Sequence, residues 1–560
     1  MSVETFPVTP ERTPANLDRP RSTRRNPLRG RSLPLTRAVA FTVVGLLMVI
    51  SLLLRLRTVH MFYWVDEGLS VGIASHPLSH IPSLLRQDGS PPLYYLLLHV
   101  WMAFRGQGEG ATHELSLLFG LLTIPTAYWA GTSLFDRRSG LVCALLAAGA
   151  PYISVYSEET RMYALLTLLA LVVATSFLHA FVFGRRRYLP LFAVSMAASL
   201  YTHNWALFLG LMSAAAFLVL VWRTPPPERR ALWLDGLLGF GGAALLYLPW
   251  LPTLVYQVGH TGAPWDNPPV IWSLSQGTYS IVGGRGAAMV ILLAGGSGLL
   301  TLRALGGTYR RLQLAVVSLL VLGFGTLLLA WAYSKLTPAW ADRYLAVIVG
   351  PLLLLAGIGL VRAGRLGLVA LALVACFWTL DPIGHSRDVK SNVAAVAGRV
   401  RSQLGANPLV LSTQPEQVPT LAYYLPKVTQ FGTPLGRTPD PRVFDWRHAL
   451  ARLRRGSVNG TLLPMLQSLS PGQRVLLVVP LNFPKTPLWM KLIVRDSAHW
   501  AKALERDRSL RLVKILSPAA QLAGVPVRGL LFVKRVPAAS SALSLNAITS
   551  SSTPSRPAAF

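Results

Sequence analysis

Two adjacent carboxylates, Asp66 and Glu67, stand in the stretch Trp64-Val65-Asp66-Glu67-Gly68-Leu69-Ser70. They follow the first long apolar run and adjoin Phe62, Tyr63 and Trp64. If the apolar runs cross a bilayer, this acidic pair lies at the mouth of the bundle. Charge placed there is costly to desolvate and marks a functional site. A carboxylate at a water–lipid boundary can serve as a general base, the more so when partial burial raises its pKa. Asp66 is the first choice for that role and Glu67 the second. Two other readings stay open. Asp66 could cap a helix, or the pair could hold a divalent cation such as magnesium or manganese.

Three further polar stretches interrupt apolar sequence: Ser157 to Tyr163 (SEETRMY), Tyr201 to Trp205 (YTHNW) and Lys335 to Tyr344 (KLTPAWADRY). Arg161 and Arg343 are the candidate phosphate ligands, because a guanidinium offers phosphate a planar fork and stays charged near lipid. Each could instead be an interfacial arginine that snorkels, and Asp342 could be a structural partner of Arg343. Tyr163 and Tyr344 could donate to a phosphate or sugar, or anchor the chain in the interface. Glu159 accompanies Arg161. Asp88, in Asp88-Gly89-Ser90-Pro91-Pro92, could orient a second substrate or cap the helix that follows. His203 sits at a helix–helix turn and is either structural or in touch with substrate. Zinc spacings, Walker loops, dinucleotide fingerprints and nucleophile elbows are absent from the sequence.

The elements that must position these residues follow from composition. Of 560 residues, 52% are hydrophobic and only 14% charged, and mean hydropathy is +0.45, which describes a polytopic membrane protein rather than a soluble enzyme. The net charge of +30 resides largely in arginines of short loops and chain ends. It argues for topology and for contact with anionic lipid, not for nucleic acid. Cys143 and Cys376 both lie inside apolar runs, so no disulfide framework is expected.

Arginine-bearing loops at 137–138, 185–187, 223–230, 303–311 and 362–365 fall on the side of the N-terminus under the positive-inside rule. At about 20 residues per crossing, this gives about eleven helices. They are expected near 36–56, 113–134, 140–156, 163–183, 188–203, 205–222, 231–252, 287–304, 312–333, 342–361 and 366–380. The run Pro91 to Phe104 is then a short interfacial or re-entrant helix within an outer loop, 57–112. Only this topology gathers Asp66, Arg161, His203 and Arg343 at one extracytoplasmic mouth. Residues 1–35 read as a disordered basic cytoplasmic tail, and 537–560 as a second disordered tail. Residues 381–536 read as an extracytoplasmic α/β domain, with strands at 409–412, 474–480, 510–516 and 528–536 and a helix from Pro487 to Arg506.

Taken in order, WVDEGLS, SPPLYYLLLHVW, SEETRMYALLTLLAL, YTHNWALF and ADRYLAVIVGPLLLL resemble bacterial glycosyltransferase family 39, over roughly residues 36–380. That family belongs to the GT-C superfamily with protein O-mannosyltransferases and lipid A aminoarabinose transferases. The resemblance implies a multi-pass enzyme of the bacterial plasma membrane. Its donor would be a polyprenyl-phosphate-linked sugar, mannose-like, and its acceptor a hydroxyl on protein, lipid or cell-wall glycan. It implies the general base at Asp66, a supporting or acceptor-orienting role at Glu67, and donor contacts at Arg161, Tyr163, Arg343 and Tyr344. Glu158-Glu159 departs from a commoner Gln-Glu. A glycolipid transporter and a glycan-binding membrane scaffold are the rival readings. A transporter is expected to carry ionisable residues along a midplane path and repeat symmetry.

Overall fold

The computed structural model describes residues 36–56, 59–304, 310–380, 390–481, 486–517 and 526–536, and the two expected tails lie outside them. The protein is a helical membrane bundle carrying a C-terminal sheet domain. Each of the eleven expected crossings falls on a helical stretch. Among the described residues, eight helices are long and apolar enough to cross a membrane. A ninth crossing is the pair Arg137–Gly149 and Pro151–Ser157, bent by 53°. Pro151 lacks an amide donor and its ring crowds the preceding turn, which accounts for the bend. The remaining two helices, Leu189–Thr202 and Arg365–Leu380, have 14 and 16 residues, short of the roughly 20 a full crossing takes.

One helix exceeds expectation. The crossing expected at 231–252 runs from Pro226 to His260 over 35 residues. Its last turns continue beyond the apolar run and dock on the first loop. Gln257 Nε2 donates to Leu85 O at 2.9 Å, and Arg86 lies 3.8 Å over the Tyr256 ring. That first loop is itself helical, with Val65–Ala74, Ile81–Asp88 and Leu93–Arg105. The last of these has 13 residues, in keeping with the short helix expected there.

Among the described residues the C-terminal domain holds six strands: β1 (Leu409–Ser412), β2 (Gln430–Thr433), β3 (Gly436–Arg437), β4 (Arg474–Pro480), β5 (Leu510–Leu516) and β6 (Val527–Lys534). They form one sheet in the order β3-β2-β1-β4-β6-β5. β1 pairs in parallel with β2 and β4, and the other pairings are antiparallel. Strand side chains alternate between faces, so Val410, Leu476 and Val478 enter one core while Leu409, Leu411, Val475 and Leu477 enter the other. Helix Leu488–Arg506 buries Trp489, Leu492, Ile493, Trp500 and Leu504, an apolar stripe of helical period. Four strands were expected. β2 and β3 are additions, short and weakly apolar, with no alternation to betray them.

Helix Val65–Ala74 joins the two parts. A Cβ on Gly68 would meet Thr420 Oγ1 at 2.2 Å, and one on Gly72 would meet Arg442 O at 1.9 Å. The two glycines, one helical turn apart, therefore let the soluble domain's backbone lie directly on this helix. Around them His76 Nε2 bonds Asp440 Oδ2 at 2.6 Å and Tyr63 N donates to Tyr424 Oη at 2.9 Å. Trp446 N donates to Gln87 O at 3.0 Å.

Candidate active site

The helix that carries the acidic pair starts at Val65, with Trp64 as its N-cap residue. Asp66 thus stands inside the first turn and is not the cap. The capping function belongs to Glu67, whose Oε2 accepts from Trp64 N at 3.2 Å. Glu67 Oε1 accepts from Thr160 N at 2.8 Å and bonds His113 Nε2 at 2.6 Å. The carboxylate is buried, and although burial opposes its charge, His113 and these hydrogen bonds hold its pKa below the usual range. Glu67 does not line the cavity described below. Of the roles expected for Glu67, this geometry agrees with the supporting one. Neighbouring positions on a helix point about 100° apart; here Asp66 faces the cavity, and Glu67 ties the turn bearing Arg161 to the helix bearing Asp66.

Asp66 faces the other way, between both expected guanidiniums. Its Oδ2 lies 3.6 Å from Arg343 Nη2 and 4.0 Å from Arg161 Nη2. Arg161 is fixed by two further bonds to the same helix: Nη1 donates to Asp66 O at 3.2 Å and to Ser70 Oγ at 3.0 Å. Asp66 Oδ2, Arg161 Nε and Arg343 Nε are buried without a hydrogen-bond partner among the described residues. Buried polar atoms are seldom left so, and here they converge on one opening.

That opening is a cavity of about 660 Å³. Asp66, Asp88, Glu159, Arg161, His203, Arg343 and Tyr344 all line it. The turns contributing them lie at one end of the bundle. The arginine-bearing turns alternate with these along the chain and so lie at the opposite end. Tyr163 stands just behind, accepting from Arg161 Nη2 at 3.5 Å. Tyr344 packs against His203 and Trp205 with ring centroids 4.8 and 5.3 Å apart. His203 Nδ1 accepts from Trp205 N at 3.1 Å, which assigns the ring proton to Nε2. Burial, with Arg161 and Arg343 adding repulsion, pushes its pKa down to about 3, so the ring is a neutral donor.

Several expectations shift. Asp88 ends helix Ile81–Asp88 rather than capping the next one, and Gly89 follows at φ 98° as the left-handed cap. Burial raises its pKa, and its carboxylate is bonded to Ser90. Asp342 is not the closest acid to Arg343, since Asp66 holds that place. Glu159 is buried and ion-paired with Lys390. Burial raises its pKa, against the pull of Lys390. Lys390 lies 5.8 Å over the Trp64 ring and lines the cavity, bringing a third cation to it. As for a cation site at Asp66 and Glu67, the two carboxylates diverge, and Asp66 is flanked by positive charge. This donor set does not fit a divalent ion.

The sequence reading missed every cavity residue of the soluble domain: Lys390, Ser391, Gln414, Glu416, Gln417, Trp446 and Met490. One signal was available. Residues 413–417 directly follow β1, whose neighbours are β2 and β4. The chain leaves β1 to one side and returns on the other, and ligands of open α/β sheets bind beyond strand ends at such a reversal. Glu416 is the most unusual member. Burial pushes its carboxyl up to about 7, and Trp489 Nε1 donates to it at 3.1 Å.

Residues 89–252 match the sequence profile of the dolichyl-phosphate-mannose-protein mannosyltransferases. No curated protein matches the chain. Among solved structures, ArnT from Cupriavidus metallidurans in the apo state superposes with a TM-score of 0.60 at 16% identity, covering 88% of this chain and 98% of that one. The same protein bound to undecaprenyl phosphate gives 0.58 at 15% identity, again over 88% and 98%. The Archaeoglobus fulgidus oligosaccharyltransferase AglB, with an inhibitory peptide and a dolichol-phosphate, gives 0.52 at 11% identity over 87% and 74%.

Proposed function

Since the chain has the fold of the GT-C glycosyltransferases and resembles family 39 within it, we propose that it transfers a sugar from a polyprenyl-phosphate donor to a hydroxyl acceptor. The observation that carries this reading is Asp66 within 4.0 Å of two guanidiniums in one cavity. The lipid approaches laterally, with its phosphate drawn to Arg161 and Arg343. Asp66 takes the proton from the acceptor hydroxyl, whose oxygen forms a bond to the anomeric carbon as the bond to the phosphate oxygen breaks. Configuration inverts, and the lipid phosphate leaves with the electron pair. The arginines act most as charge builds on that phosphate, so they contribute to rate as well as binding. Neutral His203 and Tyr344 donate to sugar or phosphate oxygens. Glu67 acts as a positioning residue.

Polyprenyl phosphates occupy similar folds in ArnT with undecaprenyl phosphate and AglB with dolichol-phosphate, which supports the donor class. The sugar is mannose-like by resemblance to the mannosyltransferase family alone. The positive-inside rule, which assigns the arginine-bearing turns to the cytoplasm, supports an extracytoplasmic site, and the bacterial plasma membrane follows from the resemblance to family 39 alone. The functional units are the catalytic bundle 36–380 and the α/β domain 381–536. The test is purified protein given polyprenyl-phosphate mannose labelled in the sugar, with membrane extract as acceptor source. Movement of label from the lipid to a new product is expected. Label that stays on the lipid, or crosses the membrane still attached to it, rejects the transferase in favour of a scaffold or transporter.

A further inference from the structure

One wall of the cavity belongs to the soluble domain and differs in chemistry from the arginine side. Gln414, Glu416 and Gln417 are all at least 95% buried, with relative exposures of 5%, 5% and 1%. Yet Gln414 Oε1, Glu416 Oε2 and both Gln417 side-chain polar atoms have no hydrogen-bond partner among the described residues. Leaving such groups unpaired costs roughly 1–3 kcal/mol each, so a cluster of four calls for a partner that binds there. All three residues line the cavity and sit beyond the carboxyl end of β1. Beside them Trp265 and Trp446, with ring centroids 4.3 Å apart, also line it.

We propose that Gln414, Glu416 and Gln417, flanked by Trp265 and Trp446, form an acceptor subsite for a neutral hexose ring of a glycan. This rests on reading the cavity as a transferase site, and it names the acceptor class that reading leaves open. Three arguments select the ligand. The unpaired atoms include both donors and acceptors, as ring hydroxyls require, since each hydroxyl both gives and takes a hydrogen bond. The tryptophans add apolar ring surface to the cavity lining, which suits the C–H face of a pyranose. The acid disfavours an anionic acceptor, while its carboxyl, held at about 7 by burial, carries enough proton near neutrality to donate to a sugar oxygen. The subsite lines the same cavity as Asp66, Arg161 and Arg343, so an acceptor seated there presents a hydroxyl toward Asp66 and the donor phosphate.

The test uses full-length protein in nanodiscs and mannotriose as probe, read by saturation-transfer difference NMR. Wild type is expected to saturate the trisaccharide's ring protons. Gln417→Ala and Trp446→Phe are expected to lower the effect at least fivefold, with both variants eluting as monodisperse particles. Absence of saturation in wild type, or an undiminished effect in both variants, overturns the subsite. So does saturation of a serine- and threonine-containing peptide in place of the sugar. The labelled-donor assay separates the two levels. Mannotriose binding with no movement of label rejects the transferase reading alone, whereas label transferred to peptide with no mannotriose binding rejects the subsite alone.

Discussion

Replacing Asp66 by Asn separates a base from a counter-ion. The substitution keeps shape and removes one negative charge, 3.6 Å from Arg343 Nη2 and 4.0 Å from Arg161 Nη2. At an effective dielectric near 20, each contact amounts to about 4 kcal/mol of gross attraction. Desolvation and residual solvent offset much of that, because the Asp66 side chain is 19% exposed. Leaving two part-buried guanidiniums without their acid costs the fold up to a few kcal/mol, while the two arginines lose their competitor for phosphate. Donor-phosphate affinity is expected to hold or to tighten by up to about tenfold, or about 1.4 kcal/mol. Chemistry moves the other way. Removal of a general base lowers the rate by about 10² to 10⁴, a barrier increase of roughly 3–5 kcal/mol. The assay is single-turnover transfer of labelled sugar at saturating donor, beside a titration with undecaprenyl phosphate. Transfer within about tenfold of wild type refutes the base assignment. Loss of phosphate binding refutes the view that the charge is dispensable for architecture.

Glu67→Ala strips partners from His113, Thr160 and Trp64 together, and is expected to cost roughly 3 kcal/mol by thermal unfolding in detergent. Glu67→Gln, whose single oxygen can still accept from Thr160 N while the bond from Trp64 N is lost, is expected to retain transfer within an order of magnitude, unlike Asp66→Asn. Gly72→Ala places a Cβ 1.9 Å from Arg442 O. It is expected to loosen the soluble domain, seen as faster proteolysis between the two parts, while membrane insertion continues. Glu416 supplies a pH signature. Its folded pKa of about 7 exceeds the ordinary 4.5, so the folded state retains a proton that the unfolded state releases first. Its contribution is present in full below pH 4.5 and is lost as pH rises toward 7, on the order of 3 kcal/mol. Glu416→Gln is expected to stabilise the protein above pH 7 relative to wild type, with the difference in melting temperature vanishing near pH 4.5. A difference independent of pH refutes this.

The bundle was legible because apolar runs, arginine loops and the short length of Pro91–Phe104 all constrain one topology. Asp66, Arg161 and Arg343 were legible for the same reason, since topology alone brings their turns together. Glu67 was not, because adjacency in sequence hides which of two acids a helix turns inward. Lys390 and Glu416 were not, because their place depends on a domain docking through Gly68 and Gly72, and two glycines in a short helix advertise nothing by themselves. The strands at 409–412, 474–480 and 510–516 stood out through runs of β-branched and leucine residues. β2 and β3 lacked such runs and exist by pairing to a strand already fixed.

The ten-residue rod Val65–Ala74 is touched on one flank by a folded domain and on another by the reacting groups. It is a shared wall: the backbone that seats the domain at Gly68 and Gly72 also carries a carboxylate whose neighbours lie within 4.0 Å. The soluble domain is consequently no detachable accessory. Trimming it, grafting another in its place or letting it tilt would each reset the alignment at the membrane surface.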